Sequence, residues 1–295
     1  MDKQDIRKIM TRVIRHAGLW LVLVLAGLFI TGAAPGPQYF SPLVKRLVAD
    51  GFDQGRIAAV FARPETTVAI DGVSLFFRHS EARLDYGQFL RPRRIDKARQ
   101  YLQAHIADLE AARERYGVAP EVVTAILLVE TNLGGMSGRQ VVFNILATMA
   151  ALEGLDARET FWAEMPTEKR LPRKKFNAKA DRKSRWAYNE LKALLKYAHR
   201  EGFDPLYMKG SYAGALGYCQ FMPSNALKLG VDGNGDGRVD LYTHADAIAS
   251  IGNYLKYHGW RSELSREKRY RVILKYNYSK PYANTILKIA DELKG

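Results

Sequence analysis

Apolar residues recur at intervals of three and four along most of the chain, the spacing that places them on one face of a helix. Gly117, Gly134 and Gly202 follow three of these stretches, and glycine commonly ends a helix. The alternation typical of a strand is weak, and its best candidate is Val68–Phe77. The pattern therefore predicts a mainly α fold, with helices near residues 95–116, 120–133, 144–152, 186–201, 245–258, 267–276 and 282–293.

Residues 1–34 form a separate segment by composition. Basic residues precede the apolar run Leu19–Ile30, and the small residues Gly32-Ala33-Ala34 follow it. This order is typical of a cleaved signal peptide, and an uncleaved membrane anchor fits the same residues. Positive charge before the run orients the N-terminus towards the cytoplasm, so we expect the rest of the chain in the periplasm.

The net charge of +14 indicates an anionic partner: nucleic acid, a membrane surface or a wall polymer. The export segment and the lack of a basic recognition helix in the sequence argue against nucleic acid. Cys219 is the single cysteine, which excludes an intramolecular disulfide and a cysteine zinc site. An exported protein that meets wall polymer remains the best interpretation.

Residues 164–185 stand out by their charge. They contain nine Lys or Arg, three acidic residues and two prolines, with little periodicity. A solvated surface loop is one interpretation. The other is an electropositive lip that binds an anionic polymer.

Glu130 is the first candidate for chemistry. It lies on the apolar face of the helix that begins at Pro120, because Leu127, Ile126 and Val123 precede it at helical spacings. Burial and the negative end of the helix both disfavour the ionised carboxylate, as a general acid requires. A buried glutamate paired with an arginine fits the same spacing.

Two further motifs combine small, aromatic and polar residues. In residues 210–224 small residues alternate with aromatic ones, and Ser211 and Gln220 are suited to bind sugar hydroxyl or amide groups. In residues 276–283 aromatic side chains flank the amide of Asn277 near a helix start. Tight packing explains either motif equally well.

A third motif has the spacing of a calcium loop, with oxygen-bearing side chains at positions 1, 3 and 5 and Gly237 at position 6. Thr243 stands at position 12, where a glutamate is usual, and Asp246 is the expected replacement in an enlarged loop. A turn without metal is the alternative. The predicted Ca²⁺ ligands are Asp232, Asn234, Asp236, the backbone carbonyl of Arg238, and Asp246.

Taken in order, V-E-T-x-x-G, G-S-Y-A-G-A-x-G-Y-x-Q-F-M-P-S, the calcium-type loop and Y-N-x-S-x-x-Y-A resemble the membrane-bound lytic transglycosylase B family. The resemblance covers residues 38–293 and implies a lysozyme-like core with an additional α-helical domain. Residues 35–118 would form the N-terminal part of the α domain. Residues 119–295 would form the catalytic core, including an insertion at 164–185 and the calcium loop at 232–246.

The family resemblance also implies a site. Glu130 would be the sole catalytic acid/base. The residues that match substrate-binding positions are Tyr86, Ser211, Gln220, Phe221, Tyr276, Asn277 and Tyr282. One departure is Asn132-Leu133, which replaces the more usual Arg-Trp or Arg-Tyr pair after the glutamate.

The implied activity is cleavage of the β-1,4 bond between N-acetylmuramic acid and N-acetylglucosamine in peptidoglycan, with formation of 1,6-anhydro ends. A hydrolytic muramidase and a non-catalytic peptidoglycan-binding protein are the alternatives. Structural Ca²⁺ is the expected cofactor, with no organic cofactor. The expected partners are peptidoglycan strands, cell-wall synthesis enzymes and, if the N-terminal segment is uncleaved, the inner membrane.

Overall fold

Helices make up nearly all of the regular structure in residues 37–78 and 84–294, the part of the chain that the computed structural model describes. Short 3₁₀ turns occur at Pro37–Phe40, Tyr86–Leu90 and Thr167–Lys169. Two short strands, β1 (Gln140–Val141) and β2 (Lys209–Gly210), pair antiparallel. The helices are α1 Ser41–Ala49, α2 Gln54–Phe61, α3 Ile70–Arg78, α4 Pro92–Ala104, α5 Ile106–Tyr116, α6 Pro120–Thr131, α7 Val142–Ala151, α8 Leu155–Glu164, α9 Arg173–Glu201, α10 Pro223–Leu229, α11 His244–Tyr257, α12 Arg266–Tyr276 and α13 Lys280–Lys294. The predicted mainly α fold is confirmed.

Two helices, α6 and α7, form the centre of the core. All residues of α7 are buried, and so are nearly all of those between Pro120 and Leu128 in α6. Helices that are apolar on every side belong in a protein interior. The C-terminal α13 packs against α6, and the long α9 packs against α7.

The segment predicted as a strand, Val68–Phe77, is instead largely helical and forms α3. Its buried residues include Val73 and Phe77, which are four apart as on one helix face. A side chain at Gly72 would lie 2.3 Å from the Ile145 side chain of α7, so glycine lets α3 approach the core closely. Tertiary packing overrides the weak strand preference of this apolar run.

The helix predicted over 95–116 is two helices, because α4 ends and α5 begins at His105. The backbone of His105 leaves helical geometry there, at φ −115° and ψ 26°. The two halves have different neighbours, since α4 packs against α6 and α5 packs mainly against α11.

The basic segment is a loop only in part, because residues 173–185 belong to the 29-residue helix α9. The interpretation of 164–185 as a surface loop is therefore wrong for that half. Phe176, Ala180, Ser184 and Ala187 are buried at helical intervals between the Lys and Arg residues. The dense charge concealed this periodicity.

The predicted signal peptide or anchor at residues 1–34 lies outside the described residues. Within residues 37–78 and 84–294, none of the helices is both long and apolar enough to cross a membrane. Pro37 begins a single compact unit, in which α4 and α5 both pack against α6. The division into two domains near residue 118 stays a prediction.

Candidate active site

Glu130 lies half-buried in the last turn of α6. The helix ends directly after it because Asn132 and Leu133 adopt left-handed backbone conformations, at φ 52° and 63°, followed by Gly134 at φ 86°. Two successive non-glycine residues in this region are uncommon and carry strain. The turn therefore needs stabilising contacts.

Thr131 supplies two of these contacts. Its hydroxyl accepts a hydrogen bond from the Gly134 backbone N–H at 3.0 Å and donates one to the Tyr218 carbonyl at 2.9 Å. Arg94 of α4 donates to the side-chain oxygen of Asn132. These bonds fix the turn and hence the end of α6 that carries Glu130.

Tyr282, at the start of α13, is a direct partner of Glu130. Its hydroxyl donates a hydrogen bond of 2.6 Å to Oε1 of Glu130. The tyrosine is 1% exposed. Burial, followed by the charge of Glu130, raises the pKa of Tyr282 well above its ordinary value, so the phenol remains a proton donor to the carboxylate.

Two more predicted residues surround the Tyr282 ring. The Tyr276 ring stacks on it at 6.4 Å with an interplanar angle of 9°, and the Tyr86 ring meets it edge-on at 6.3 Å. The hydroxyl of Tyr276 donates to the Cys219 carbonyl at 2.5 Å. The structure thus brings Tyr86, Tyr276 and Tyr282 together beside Glu130.

Phe221, which matches a substrate-binding position of the family, is buried in the structure. It is 2% exposed, and its ring packs against Tyr254 at 5.3 Å and Tyr276 at 5.9 Å. An aromatic ring with almost no accessible surface supports Tyr276 from the interior. Substrate binding by Phe221, as by Tyr282, which is 1% exposed, stays a prediction.

Ser211 and Gln220 shape the loop between β2 and α10. The Ser211 hydroxyl accepts hydrogen bonds from the backbone N–H groups of Ala213 at 3.3 Å and Ala215 at 3.1 Å. The Gln220 amide donates to the Ser137 carbonyl at 3.0 Å, with the Gln220 backbone at φ 49°. Both side chains are half-buried, and contact with a ligand stays a prediction.

The loop that follows Glu130 is held directly against the Ser211 loop. Gln140 of β1 pairs with Gly210 of β2. A side chain at Gly138, whose φ is 102°, would meet the Gly210 carbonyl oxygen at 2.1 Å. The close approach of the two loops therefore requires glycine at this position.

Asn277 links α12 to α13. Its backbone is extended, which ends α12, and its carbonyl accepts a hydrogen bond from the Ser279 N–H at 2.8 Å. The next residue, Tyr278, is 95% exposed. Sequence reasoning did not select Tyr278, although it lies inside the Y-N-x-S motif, and an exposed aromatic ring beside Asn277 is suited to stack on a sugar.

The calcium-type loop is folded around the carboxylate of Asp232. Its oxygens accept hydrogen bonds from the backbone N–H groups of Gly235 at 2.7 Å, Asp236 at 3.2 Å and Gly237 at 2.8 Å. The Arg238 side chain donates to the Glu201 carbonyl at 2.8 Å. Its positive charge is therefore anchored outside the loop.

Asp246 closes the loop from the first turn of α11. It is fully buried, and its two oxygens accept hydrogen bonds from the N–H groups of Gly233 at 2.9 Å and Asp240 at 2.6 Å. Burial raises the pKa of Asp246, and the charge of Asp232 adds to the effect. Among the described residues, no three acidic, histidine or cysteine side chains converge closely enough to hold a metal. The donors fit calcium in type and order, and Asn234 and Asp236 lie within hydrogen-bonding distance of each other at 3.0 Å.

A buried helix that carries a glutamate at its end, with tyrosine rings beside it, indicates an enzyme-type site. Residues 37–267 match the family described as the transglycosylase SLT domain. This match covers well over half of the sequence, and the chain belongs to that family.

Three known proteins illustrate the similarity. Membrane-bound lytic murein transglycosylase B of Escherichia coli (strain K12) is 34% identical over 173 residues, which are 59% of this chain and 40% of that protein. SltB3 from Pseudomonas aeruginosa, solved in complex with NAG-NAM-pentapeptide, is 23% identical with a TM-score of 0.69 over 88% of this chain and 80% of its own. The Escherichia coli lytic transglycosylase SLT35 in complex with calcium is 22% identical with a TM-score of 0.64, over 89% and 93%. The resemblance to the transglycosylase B family and the lysozyme-like fold class are confirmed.

Proposed function

We propose that this protein is a lytic transglycosylase that cleaves the β-1,4 bond between N-acetylmuramic acid and N-acetylglucosamine in peptidoglycan. The hydrogen bond from Tyr282 to Glu130 carries the proposal, because it holds one carboxylate beside a wall of aromatic rings. Family membership and the activity in the name of the E. coli relative support it.

One carboxylate suffices when the substrate supplies the nucleophile. Glu130, as the acid, gives its proton to the departing glycosidic oxygen while the substrate's N-acetyl carbonyl attacks the anomeric carbon. Glu130, now a carboxylate, removes the proton of the C6 hydroxyl. The C6 oxygen then displaces the acetamido oxygen and closes the 1,6-anhydro ring, and Glu130 returns to its protonated form.

Two alternatives differ in their products. In a hydrolytic muramidase, water replaces the C6 hydroxyl and the products are heavier by one water. A non-catalytic peptidoglycan-binding protein releases no product. The transglycosylase is favoured over this binder because Glu130, Ser211, Gln220 and Asn277 are all retained.

Mass spectrometry of products released from purified peptidoglycan tests the proposal. Glu130→Gln keeps a hydrogen-bond acceptor for Tyr282 and should lower the release of anhydro products by about 10²–10⁴-fold, the usual contribution of general acid–base catalysis. Glu121→Gln, in the first turn of the same helix, is the control and should retain activity. Substantial anhydro product from Glu130→Gln contradicts the mechanism, and hydrated ends from the unaltered protein support the muramidase.

We also propose a structural Ca²⁺ at the 232–246 loop, bound through Asp232, Asn234, Asp236, the Arg238 carbonyl and Asp246. Oxygen-only donors at these positions suit this hard cation. The calcium complex of SLT35 supports the idea. Bound Ca²⁺ would neutralise neighbouring carboxylates and rigidify the loop; the acid–base chemistry stays with Glu130.

The site of action that we propose is the periplasm, with peptidoglycan as the partner. The net charge of +14 favours this anionic polymer, and the E. coli relative is named as membrane-bound. Export by the N-terminal segment, a membrane tether and contacts with wall-synthesis enzymes belong to the same proposal. Fractionation of cells that produce the full chain, with immunodetection of the protein in the soluble and membrane fractions, tests this location.

A further inference from the structure

A strongly basic cavity lies apart from Glu130, which is not among its lining residues. It has a volume of about 330 Å³ and lies between α3, α9 and the loop after β2. Its cationic side chains all come from the helical half of the basic segment. The residues that define it are Phe76, Lys179, Arg182, Lys183 and Tyr212.

Lys183 is the central cation of this cavity. Its ammonium group lies 5.1 Å from the centre of the Phe76 ring and 4.8 Å from that of Trp186, and these two rings stack on each other at 5.8 Å. Burial lowers the pKa of Lys183, and the charges of Arg182 and Lys179 add to the effect. Because the nearby cations repel one another and are partly desolvated, a bound anion would stabilise their charged forms.

Ion pairs around the basic segment leave out the cations of this cavity, of which Lys179 donates a hydrogen bond to the Phe77 carbonyl. Lys169 pairs with Asp71, and Arg173 pairs with Glu159. No described carboxylate forms an ion pair with Lys179, Arg182 or Lys183. These cations are therefore free of ion pairs with described carboxylates and can pair with the carboxylate of a ligand.

The cavity adjoins the predicted substrate loop. Tyr212 and Ala213 line it, and they directly follow Ser211. The Gly210 end of this loop pairs with β1, in the segment that follows Glu130. A glycan strand bound along the loop would therefore bring its substituents close to the cations.

We propose that this cavity binds carboxylate groups of the peptide stems that peptidoglycan carries. The inference rests on the proposed function, because a glycan chain at the Ser211 loop presents its peptide substituents beside Arg182 and Lys183. Guanidinium and ammonium groups form charge-assisted hydrogen bonds with carboxylates. The basic segment thereby selects peptide-bearing strands.

Calorimetric titration of the full chain with a free tetrapeptide stem, and with the same peptide as its carboxamides, tests the site directly. Arg182→Gln combined with Lys183→Met removes two charges, and the methionine preserves an apolar chain of similar length over the Phe76 ring. Lys174→Gln combined with Lys175→Met is the matched control, because both lysines are exposed on α9 and outside the cavity. The cavity variant should weaken peptide binding at least tenfold and the control less than twofold.

Three outcomes overturn the proposal: equal loss in both variants, equal affinity for the carboxamide peptide, or tighter binding of inorganic phosphate than of the peptide. Turnover then separates this site from the proposed function. On peptide-bearing strands the cavity variant should raise KM and leave kcat unchanged, with no effect on strands stripped of peptide. If the unaltered protein releases no anhydro product and yet binds the peptide through Arg182 and Lys183, the proposed function fails and the binding site stands.

Discussion

Replacing Tyr282 by Phe removes one hydroxyl from the site and preserves the ring. The lost hydrogen bond is 2.6 Å long and joins a buried phenol to Oε1 of Glu130. Hydrogen bonds to charged groups contribute about 1.5–3 kcal/mol. If that energy holds Glu130 in position during the reaction, kcat should fall by about 10- to 150-fold. KM should change little, because the hydroxyl acts on Glu130.

Tyr254→Phe is the matched control for this experiment. Its hydroxyl is also buried and donates a bond of 2.6 Å, but to the backbone carbonyl of Lys275. Tyr254→Phe should lose about 1 kcal/mol of stability, the contribution of a neutral hydrogen bond, and Tyr282→Phe about 1.5–3 kcal/mol, because its partner is a carboxylate. Only the Tyr282 variant should lose activity.

Steady-state release of soluble products from peptidoglycan gives kcat, and thermal unfolding gives the stability of each variant. The reasoning is refuted if Tyr282→Phe keeps full kcat while folded. It is equally refuted if the two phenylalanine variants lose the same activity, because the effect would then be general to the aromatic core.

Three further outcomes are expected. Gly138→Ala should destabilise the protein by about 2–4 kcal/mol more than Gly259→Ala, as measured by urea titration. The two glycines have similar φ angles, 102° and 99°, but only a side chain at Gly138 would meet a backbone oxygen, that of Gly210 at 2.1 Å. Ca²⁺ at 100 times its dissociation constant should stabilise the fold by about 2.7 kcal/mol in thermal unfolding. Mg²⁺ should not substitute for Ca²⁺, and Asp236→Asn should reduce the stabilisation by Ca²⁺. An unfolding temperature that does not change with Ca²⁺ would contradict the site. Burial, with nearby lysines, lowers the pKa of His258 below 6.5. As pH falls, the unfolded chain therefore takes up a proton first, and the free energy of unfolding should decrease below about pH 6.5. His258→Gln should reduce this dependence of stability on pH, and an unchanged dependence contradicts the assignment.

Helix positions were largely predictable, because they depend on local spacing and on residues that end helices. Gly117 and Gly202 do end α5 and α9, both with left-handed backbones. Glu130 lies near the end of α6 as expected, although Asn132 and Leu133, just before Gly134, are the residues that leave the helix. Periodicity over a dozen residues is a local property, and it can be identified directly from the sequence.

Periodicity does not predict which distant segments of the chain come into contact. Nothing in the local pattern around Tyr282 indicates that its hydroxyl meets Glu130; only the family resemblance selected the residue. The burial of Phe221 could not be predicted either, because aromatic residues serve equally in a core and in a binding wall. The strand expected at Val68–Phe77 failed because α7 offers a surface that suits a helix.

The contact between Glu130 and Tyr282 spans 152 positions of the chain. A ribosome completes α6 long before it reaches Lys280, where α13 begins. During synthesis, the carboxylate therefore exists for some time without its hydroxyl partner and without the helix that covers α6. A site assembled in this order is completed only after α13 has been synthesised, and a product that terminates before α13 carries Glu130 without its hydroxyl partner.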